Sequence, residues 1–150
     1  MREARPWTSF EHVVVVGTGP DRFAEVRERL LTWRIHHDAH IEVLDAPPRA
    51  VPGAVVRQRF WLFPLRIIAP VKLRSVIDEE RRAGFTYTTL PGHPEEGVED
   101  FFVDLRDSGE VTFTIRARSR PALWWSRLGA PVSLLAQRWI TRRYLEAAAR

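Results

Sequence analysis

Three side chains near the middle of the chain have the chemistry to move a proton: Glu99, Tyr87 and His93. If residues 98–105 form a strand, Glu99 shares a face with Phe101, and its carboxyl group points into the interior. Burial raises the pKa of such a group unless an arginine or backbone donors compensate, so it could serve as an acid, a base or a ligand anchor. We expect Tyr87 to face inward too, with His93 in the turn that joins the two strands.

The same residues also have a structural interpretation. Glu99 could pair with an arginine at the rim of the sheet, or a register shift of one residue would turn it outward. Tyr87 and His93 could form a hydrogen-bonded corner that holds the Pro-Gly-His-Pro turn at 91–94 rigid. A cyclase, hydratase or isomerase that uses Glu99 with Tyr87 and His93 is therefore one hypothesis beside others, and whether the protein is an enzyme stays open.

Apolar side chains alternate along several predicted strands and follow one stripe of a predicted C-terminal helix. A sheet face and a helix stripe of this kind can enclose a cavity for a small molecule. We therefore favour binding of a small apolar or amphipathic ligand between the sheet and this helix. The predicted lining consists of Phe85, Tyr87, Phe101, Val103, Phe113, Ile115, Leu135 and Trp139.

Two motifs resemble cofactor and metal sites, but we interpret both as structural. The loop 17–19 (Gly-Thr-Gly) follows an apolar strand, yet Arg22 stands where a dinucleotide-binding fingerprint needs its third glycine. This loop is therefore predicted to be a strand-to-helix turn, without a cofactor. His36, His37 and His40 lack the acidic residues of zincin-type sites. We interpret them as the polar end of a helix and predict no metal.

Composition narrows the possible functions. The chain has no cysteine, which excludes thiolate nucleophiles, disulfides and cysteine-ligated metal sites. The net charge of +4 conceals a charge of −7 over residues 78–110 and of +7 over residues 111–150. Because neighbouring strands can pair such charges, we expect internal ion pairs, and nucleic-acid binding is disfavoured.

The predicted C-terminal helix supports a third hypothesis. Its arginines at 138, 142 and 143, together with Trp139, could meet a partner protein or an anionic membrane surface. The chain shows neither a signal peptide nor an apolar stretch long enough to span a membrane, so we expect a cytoplasmic protein. Neither the ligand nor the oligomeric state follows from the sequence.

These residues must be positioned by an alternation of helical and strand periodicity. A strand at 10–16 precedes a helix whose apolar stripe runs from Phe23 to Trp33 and which frays over 34–39. Further strands are predicted at 40–44, 54–62, 70–77, 84–90, 98–105 and 111–119, followed by a helix at 131–149. We therefore expect one α+β domain over residues 1–150, in which a curved antiparallel sheet of six to seven strands wraps around the long C-terminal helix.

This layout resembles the helix-grip architecture of polyketide-cyclase, steroidogenic-transfer and pollen-allergen proteins. A narrower resemblance rests on Gly-Phe-Thr-Tyr-Thr-Thr-Leu-Pro-Gly-His-Pro at 84–94, on Gly-Val-Glu-Asp-Phe at 97–101, and on the segments 113–121 and 137–144. With these motifs the chain is similar to domain-of-unknown-function family 1990, an uncharacterised bacterial and plant family. The resemblance covers nearly the whole chain and implies no specific activity.

Two positions depart from that family's usual pattern. The family has glycine where this chain has Thr88, and an acidic residue where it has Val98. If the glycine provides backbone access or the acid is functional, this member has lost that role.

Overall fold

A computed structural model describes residues 6–62, 64–122 and 130–150 of the protein. The elements in chain order are β1 (Thr8–Thr18), α1 (Pro20–Leu31), α2 (Arg34–Asp38), β2 (Glu42–Leu44), β3 (Val55–Leu62), β4 (Leu65–Asp78), β5 (Arg82–Thr89), β6 (Glu95–Leu105), β7 (Glu110–Pro121) and α3 (Ala130–Ala149).

The seven strands form one curved antiparallel sheet in the order β1-β7-β6-β5-β4-β3-β2. Strands β2 to β7 each pair with their neighbours in sequence, and β1 joins the sheet beside β7. The register shifts between Val15 and Gly17 and between Leu73 and Ser75, and such irregularities add bend and twist to a sheet. With α3 against this sheet, the predicted helix-grip architecture of the α+β class is confirmed.

The helical segment between β1 and β2 differs from its prediction. Pro20 lies in the first turn of α1, where its missing N–H leaves no helical hydrogen bond unmade. Residues 34–38 do not fray but form α2, because Trp33 adopts a left-handed conformation with φ of 68° and turns the chain. The turn lets α1 and α2 cover adjacent parts of the sheet.

The strand boundaries differ mainly in β4. Its predicted start was Pro70, but the strand begins at Leu65. Pro70 pairs with Arg57 of β3, whereas β5 joins β4 only from Val71 onwards. A proline is tolerated there because that part of β4 has a neighbouring strand on one side only.

The core lies between the inner face of the sheet and the two short helices. Val26 and Leu30 of α1 are fully buried, as are Phe85 of β5 and Phe101 of β6. The Trp33 ring lies 5.2 Å from that of Phe85, centroid to centroid. The α1–α2 pair therefore seals one half of the sheet and leaves the other half to α3.

Candidate ligand-binding site

A cavity of about 160 Å³ lies between the sheet and α3, beside the packed core. Among the described residues, six of the seven strands, all except β2, contribute to its wall, together with residues 136–144 of α3. Its lining consists of Phe10, Ile41, Gln58, Phe60, Ile67, Ala69, Tyr87, Thr89, His93, Pro94, Glu95, Gly97, Val98, Glu99, Ala117, Ser119, Ala136, Gln137, Ile140, Thr141 and Tyr144.

Strand pairing brings Tyr87 and Glu99 together within this wall. The two residues face each other across β5 and β6, so their side chains emerge on the same side of the sheet. The Tyr87 hydroxyl is hydrogen-bonded to the Glu99 carboxylate. Register alone thus places a hydrogen-bond donor against a carboxyl group inside an apolar cavity.

Glu99 has an unusual protonation equilibrium for a carboxyl group. Removal from bulk water raises its pKa from 4.5 to about 7, and the hydrogen bond from Tyr87 opposes this rise. Neighbouring Asp100, on the outer face of β6, raises the pKa further through its negative charge. Glu99 can therefore gain or lose a proton near neutral pH.

Tyr87 connects Glu99 to two more polar groups. The Gln58 amide of β3 donates to the Tyr87 hydroxyl over 3.1 Å. The Tyr144 hydroxyl of α3 is hydrogen-bonded to Tyr87 as well. The Tyr87 hydroxyl therefore accepts from Gln58 and belongs to one hydrogen-bonded cluster with Glu99 and Tyr144. Burial raises the pKa of Tyr87 well above 10, which keeps it a neutral donor.

His93 lies in the cavity wall but belongs to the turn before β6. Its Nδ1 accepts a hydrogen bond from the Glu95 N–H over 2.9 Å, so that a neutral His93 carries its proton on Nε2. Desolvation lowers its pKa to about 4. Among the described residues, no hydrogen bond joins His93 to Tyr87 or Glu99. The three predicted catalytic residues therefore share one cavity, while the direct contact is between Tyr87 and Glu99.

Gly97 permits the close strand approach that carries Glu99. A Cβ atom at this position would overlap the backbone carbonyl of Arg118 on β7. The Gly97 N–H donates to Oγ1 of Thr89 over 3.0 Å, which ties the start of β6 to the end of β5. Across the cavity, the Gln137 amide of α3 donates to Ser119 Oγ of β7 over 3.0 Å. These bonds connect the strands and the helix around the cavity.

The cavity lining corrects the predicted ligand-binding residues. Only Tyr87 of the eight lines the cavity. The inward-facing strand residues are fully buried in the core under α1 and α2: Phe85, Phe101, Val103, Phe113 and Ile115. Leu135 and Trp139 are 64% and 44% exposed, because the opposite face of α3, with Ala136 and Ile140, meets the sheet.

Comparison with known proteins assigns the chain to a family. The family described as "Domain of unknown function (DUF1990)" matches residues 2–147. The chain belongs to the DUF1990 family. Its relatives include a UPF0548 protein of Arabidopsis thaliana, 28% identical over 140 residues, a match that spans 89% of this chain and 68% of the relative. A UPF0548 protein of Deinococcus radiodurans is 42% identical over 69 residues, which are 46% of this chain and 35% of that protein.

Solved structures support the fold of this DUF1990 chain. The major latex-like protein 151 of Panax ginseng superposes with a TM-score of 0.54 at 17% identity, over 96% of this chain and 99% of that protein. Identity at this level establishes a shared helix-grip fold and carries no activity across.

The two positions that depart from the DUF1990 pattern are direct neighbours. Thr88, which follows Tyr87 on β5, faces Val98, which precedes Glu99 on β6. Val98 also borders the cavity. The two departures therefore change one cross-strand pair at the rim of the site.

Sequence reasoning missed several polar groups of the cavity. Gln58 could have been found, because it follows Val56 on the inward face of an alternating strand, where a buried amide needs a partner. Tyr144 lies in the predicted apolar stripe of the helix, and its hydroxyl, once buried, also needs a hydrogen-bond partner. Gln137 and Thr141 gave no such signal, because only the docking of α3 turns them towards the sheet.

His36 does not lie at a polar helix end, as the sequence had suggested. It is fully buried among aromatic rings, with its ring centroid 4.9 Å from that of Tyr144 and 5.1 Å from that of Phe101. Neither of its ring nitrogens has a hydrogen-bond partner. Desolvation lowers its pKa to about 3. Within the described ranges, no group of three or more His, Asp or Glu side chains could hold a metal ion.

The loop 17–19 forms the end of β1 and the start of α1. Its Gly19 N–H donates to the Gly109 carbonyl over 2.8 Å, and Arg22 packs its side chain against Gly17. The Arg22 guanidinium donates to the Val16 carbonyl over 2.8 Å and to backbone oxygens at the end of α3. The arginine that replaces a fingerprint glycine thus joins β1 to α3.

Opposite charges pair across the outer face of the sheet, as the segment charges suggest. Arg116 bonds to Asp100 over 2.8 Å, and Arg120 pairs with Glu96 over 3.2 Å. Asp104 of β6 pairs with Arg82 of β5 and not with an arginine of β7. Arg118 of β7 lies over the Trp7 ring.

The exposed face of α3 carries further basic groups. Arg142 lies 3.7 Å from Glu146, Arg143 stacks on the Trp139 ring, and Arg138 is exposed. No helix in the described part of the chain is both long and apolar enough to cross a membrane.

Proposed function

We propose that this DUF1990 protein binds a small amphipathic molecule in the cavity between the sheet and α3. The observation that carries the proposal is a largely apolar cavity with one connected polar cluster, Glu99–Tyr87–Gln58–Tyr144, in its wall. Ligand pockets commonly combine an apolar lining with a few polar groups that orient the ligand. The aliphatic and aromatic wall would hold the apolar part of the ligand, and the cluster its polar end.

The volume limits the ligand to a small molecule. An engineered protein cavity of about 150 Å³ accepts benzene, and the cavity here measures about 160 Å³. A single ring with a short polar substituent, or an aliphatic molecule of similar size, matches this space. Benzyl alcohol is therefore a suitable probe.

A substitution that fills the cavity tests this proposal. Ala136 lines the cavity, whereas Ala149 lies on the same helix and is exposed. We expect titration with benzyl alcohol, followed by protein NMR, to give saturable shifts of cavity resonances in the wild type and in Ala149→Phe. The same titration should give none in Ala136→Phe of unchanged fold. Equal binding by both variants would place the ligand elsewhere and contradict the proposal.

Proton transfer is a second candidate function, favoured by one specific observation. Glu99 has a pKa of about 7 and faces the cavity beside a neutral hydroxyl donor, Tyr87. A carboxylate in this position could take a proton from a carbon next to a ligand carbonyl and return it, which is the first step of many isomerisations. Catalysed exchange of such protons for deuterium in a small ketone such as acetophenone, measured by NMR, should be lost in Glu99→Gln. Equal exchange rates in the wild type and in Glu99→Gln would exclude proton transfer by Glu99.

A further inference from the structure

The cavity differs in charge from the rest of the protein. The chain contains 22 arginines and one lysine, yet the described cavity lining includes neither residue type. It does include two carboxyl groups, Glu95 and Glu99, and a histidine that desolvation keeps neutral. A predominantly basic protein therefore encloses a cavity whose described titratable groups are acidic or neutral.

Glu99 lacks the cationic partner that neighbouring acids possess. Asp100, the next residue along β6, bonds to Arg116 and to the Thr86 hydroxyl. Glu96 pairs with Arg120. No ion pair in the described ranges includes Glu99, whose hydrogen-bond donor is the Tyr87 hydroxyl. Glu99 is half-buried, and a carboxylate removed from bulk water is stabilised only by a positive charge or several donors, so without a bound cation its protonated form is favoured.

Glu99 can accept further hydrogen bonds, and the cavity wall around it suits a cation. A carboxylate can accept about four hydrogen bonds, and Tyr87 supplies one of them. The aromatic rings of Tyr87, Tyr144, Phe10 and Phe60 line the same cavity. Aromatic faces attract ammonium groups, most strongly where water is excluded.

We infer that the polar end of the ligand is a protonated amine, held by Glu99 among the aromatic side chains of the cavity. This inference rests on the proposed function and specifies its ligand class as small amphipathic amines. An ammonium group donates three hydrogen bonds and brings the positive charge that the described lining lacks. A ligand carboxylate or phosphate would meet like charge, and a carbonyl could only accept from a protonated Glu99.

Binding of an amine is coupled to proton release. Glu99 has a pKa of about 7, and a bound ammonium lowers this pKa, as opposite charges do. Below about pH 7 the protein must therefore lose a proton when the amine binds, and the affinity rises with pH until Glu99 is ionised in the free protein.

Three other titratable groups of the cavity stay neutral in this pH range. Tyr87 and Tyr144 stay neutral because burial raises their pKa values, and His93 stays neutral because desolvation lowers its pKa. Opposite Glu99 on β7 lies Ala117, which does not titrate. The other nearby carboxyl groups are Asp100, which pairs with Arg116 on the outer face, and Glu95, at the start of β6.

The test compares benzylamine with benzyl alcohol, two probes of nearly equal shape. We expect calorimetry at about pH 8 to show that the wild type binds benzylamine on the order of tenfold more tightly than benzyl alcohol, as a charge-assisted hydrogen bond would give. Between about pH 5 and pH 7 the benzylamine affinity should rise with pH, with proton release. Glu99→Gln should lose both the preference and the pH dependence while still binding benzyl alcohol. Glu96→Gln, the same change at an exposed site of β6, should retain both.

The outcomes separate this inference from the proposed function. If the wild type binds benzyl alcohol as tightly as benzylamine, or if Glu99→Gln keeps the amine preference, the amine inference is wrong while a cavity for small molecules remains. If the wild type binds neither probe and no small alkylamine of similar volume, both the inference and the proposed function are wrong. Retention of the preference in Glu96→Gln with its loss in Glu99→Gln supports the inference.

Discussion

Glu99 links the cavity to the stability of the folded protein. Its pKa is about 7 in the fold against 4.5 for an exposed glutamate, so between these values the folded state holds a proton that the unfolded state releases. Folding stability therefore falls as pH rises through this window, by up to about 3 kcal/mol at its upper end. We expect urea unfolding of the wild type to show this fall, and Glu99→Gln, which mimics the protonated side chain, to lack it.

Two histidines act in the opposite direction and must be separated from Glu99. Desolvation lowers the pKa of His93 to about 4 and that of His36 to about 3. Below about pH 6.5 these histidines bind protons in the unfolded state but stay unprotonated in the folded state, so the free energy of unfolding falls as pH decreases. Because both proteins contain these histidines, the difference between wild type and Glu99→Gln isolates the carboxyl group. Parallel stability curves for the two proteins would contradict the assignment.

At the scale of elements, the pairing of β6 with β7 depends on a residue without a side chain. Gly97 lies where a Cβ atom would overlap the Arg118 carbonyl, whereas Gly53 has open space around its Cβ position and a φ of 85°. Gly53→Ala should lower the free energy of unfolding only by the cost of the left-handed conformation, about 1–2 kcal/mol. Gly97→Ala should lower the free energy of unfolding by roughly 1–3 kcal/mol more than Gly53→Ala does, because β6 and β7 must move apart.

Chemical denaturation of both variants measures this difference, and ligand binding reports its local effect. Strand separation at Gly97 would shift Glu99, which lies two residues further along β6 and faces Tyr87. We therefore expect Gly97→Ala to weaken binding of benzyl alcohol as well, and Gly53→Ala to leave it unchanged. Equal stability losses would show that β6 and β7 tolerate a side chain at this point.

At the scale of the whole molecule, Arg29 joins the two halves of the fold. This buried α1 residue donates to the Ala147 carbonyl of α3 over 2.6 Å and to the backbone oxygen of Arg150 over 3.0 Å. It also bonds to Asp38 of α2 over 3.0 Å, and this hydrogen bond lowers the pKa of Asp38. One guanidinium therefore holds three helices together and satisfies carbonyls at the end of α3.

Removal of this guanidinium should loosen α3 from the rest of the protein. We expect Arg29→Met to cost about 2–4 kcal/mol, because Asp38 and the helix-end carbonyls lose a buried charged partner. Arg34→Met provides the control, since Arg34 is exposed, and surface changes of this kind usually alter stability by less than about 0.5 kcal/mol. Thermal and urea unfolding measure the effect, and equal stability of the two variants would contradict the role of Arg29.

Much of the fold follows from periodicity. Alternating residues in β7 place Val111, Phe113 and Ile115 on one face, and all three are buried. The left-handed turn at Trp33 could not be read in the same way, because a positive φ is uncommon for tryptophan. The sequence also did not predict that β4 begins before Pro70. A strand tolerates a proline only where it lacks a neighbour on one side, and this depends on where β5 ends.

The sequence by itself determined the order of the strands and the two long helices, the inward faces of several strands and the DUF1990 motifs. These features depend on local periodicity, which neighbouring residues determine. The register that places Glu99 opposite Tyr87 is a pairing between two strands, and the structure shows it. Only the tertiary structure decided which inward side chains line the cavity. Helices α1 and α2 cover Phe85 and Phe101, and α3 leaves space over Glu99. Alternation tells which face of a strand is buried, but it does not tell which distant element covers that face, or how closely.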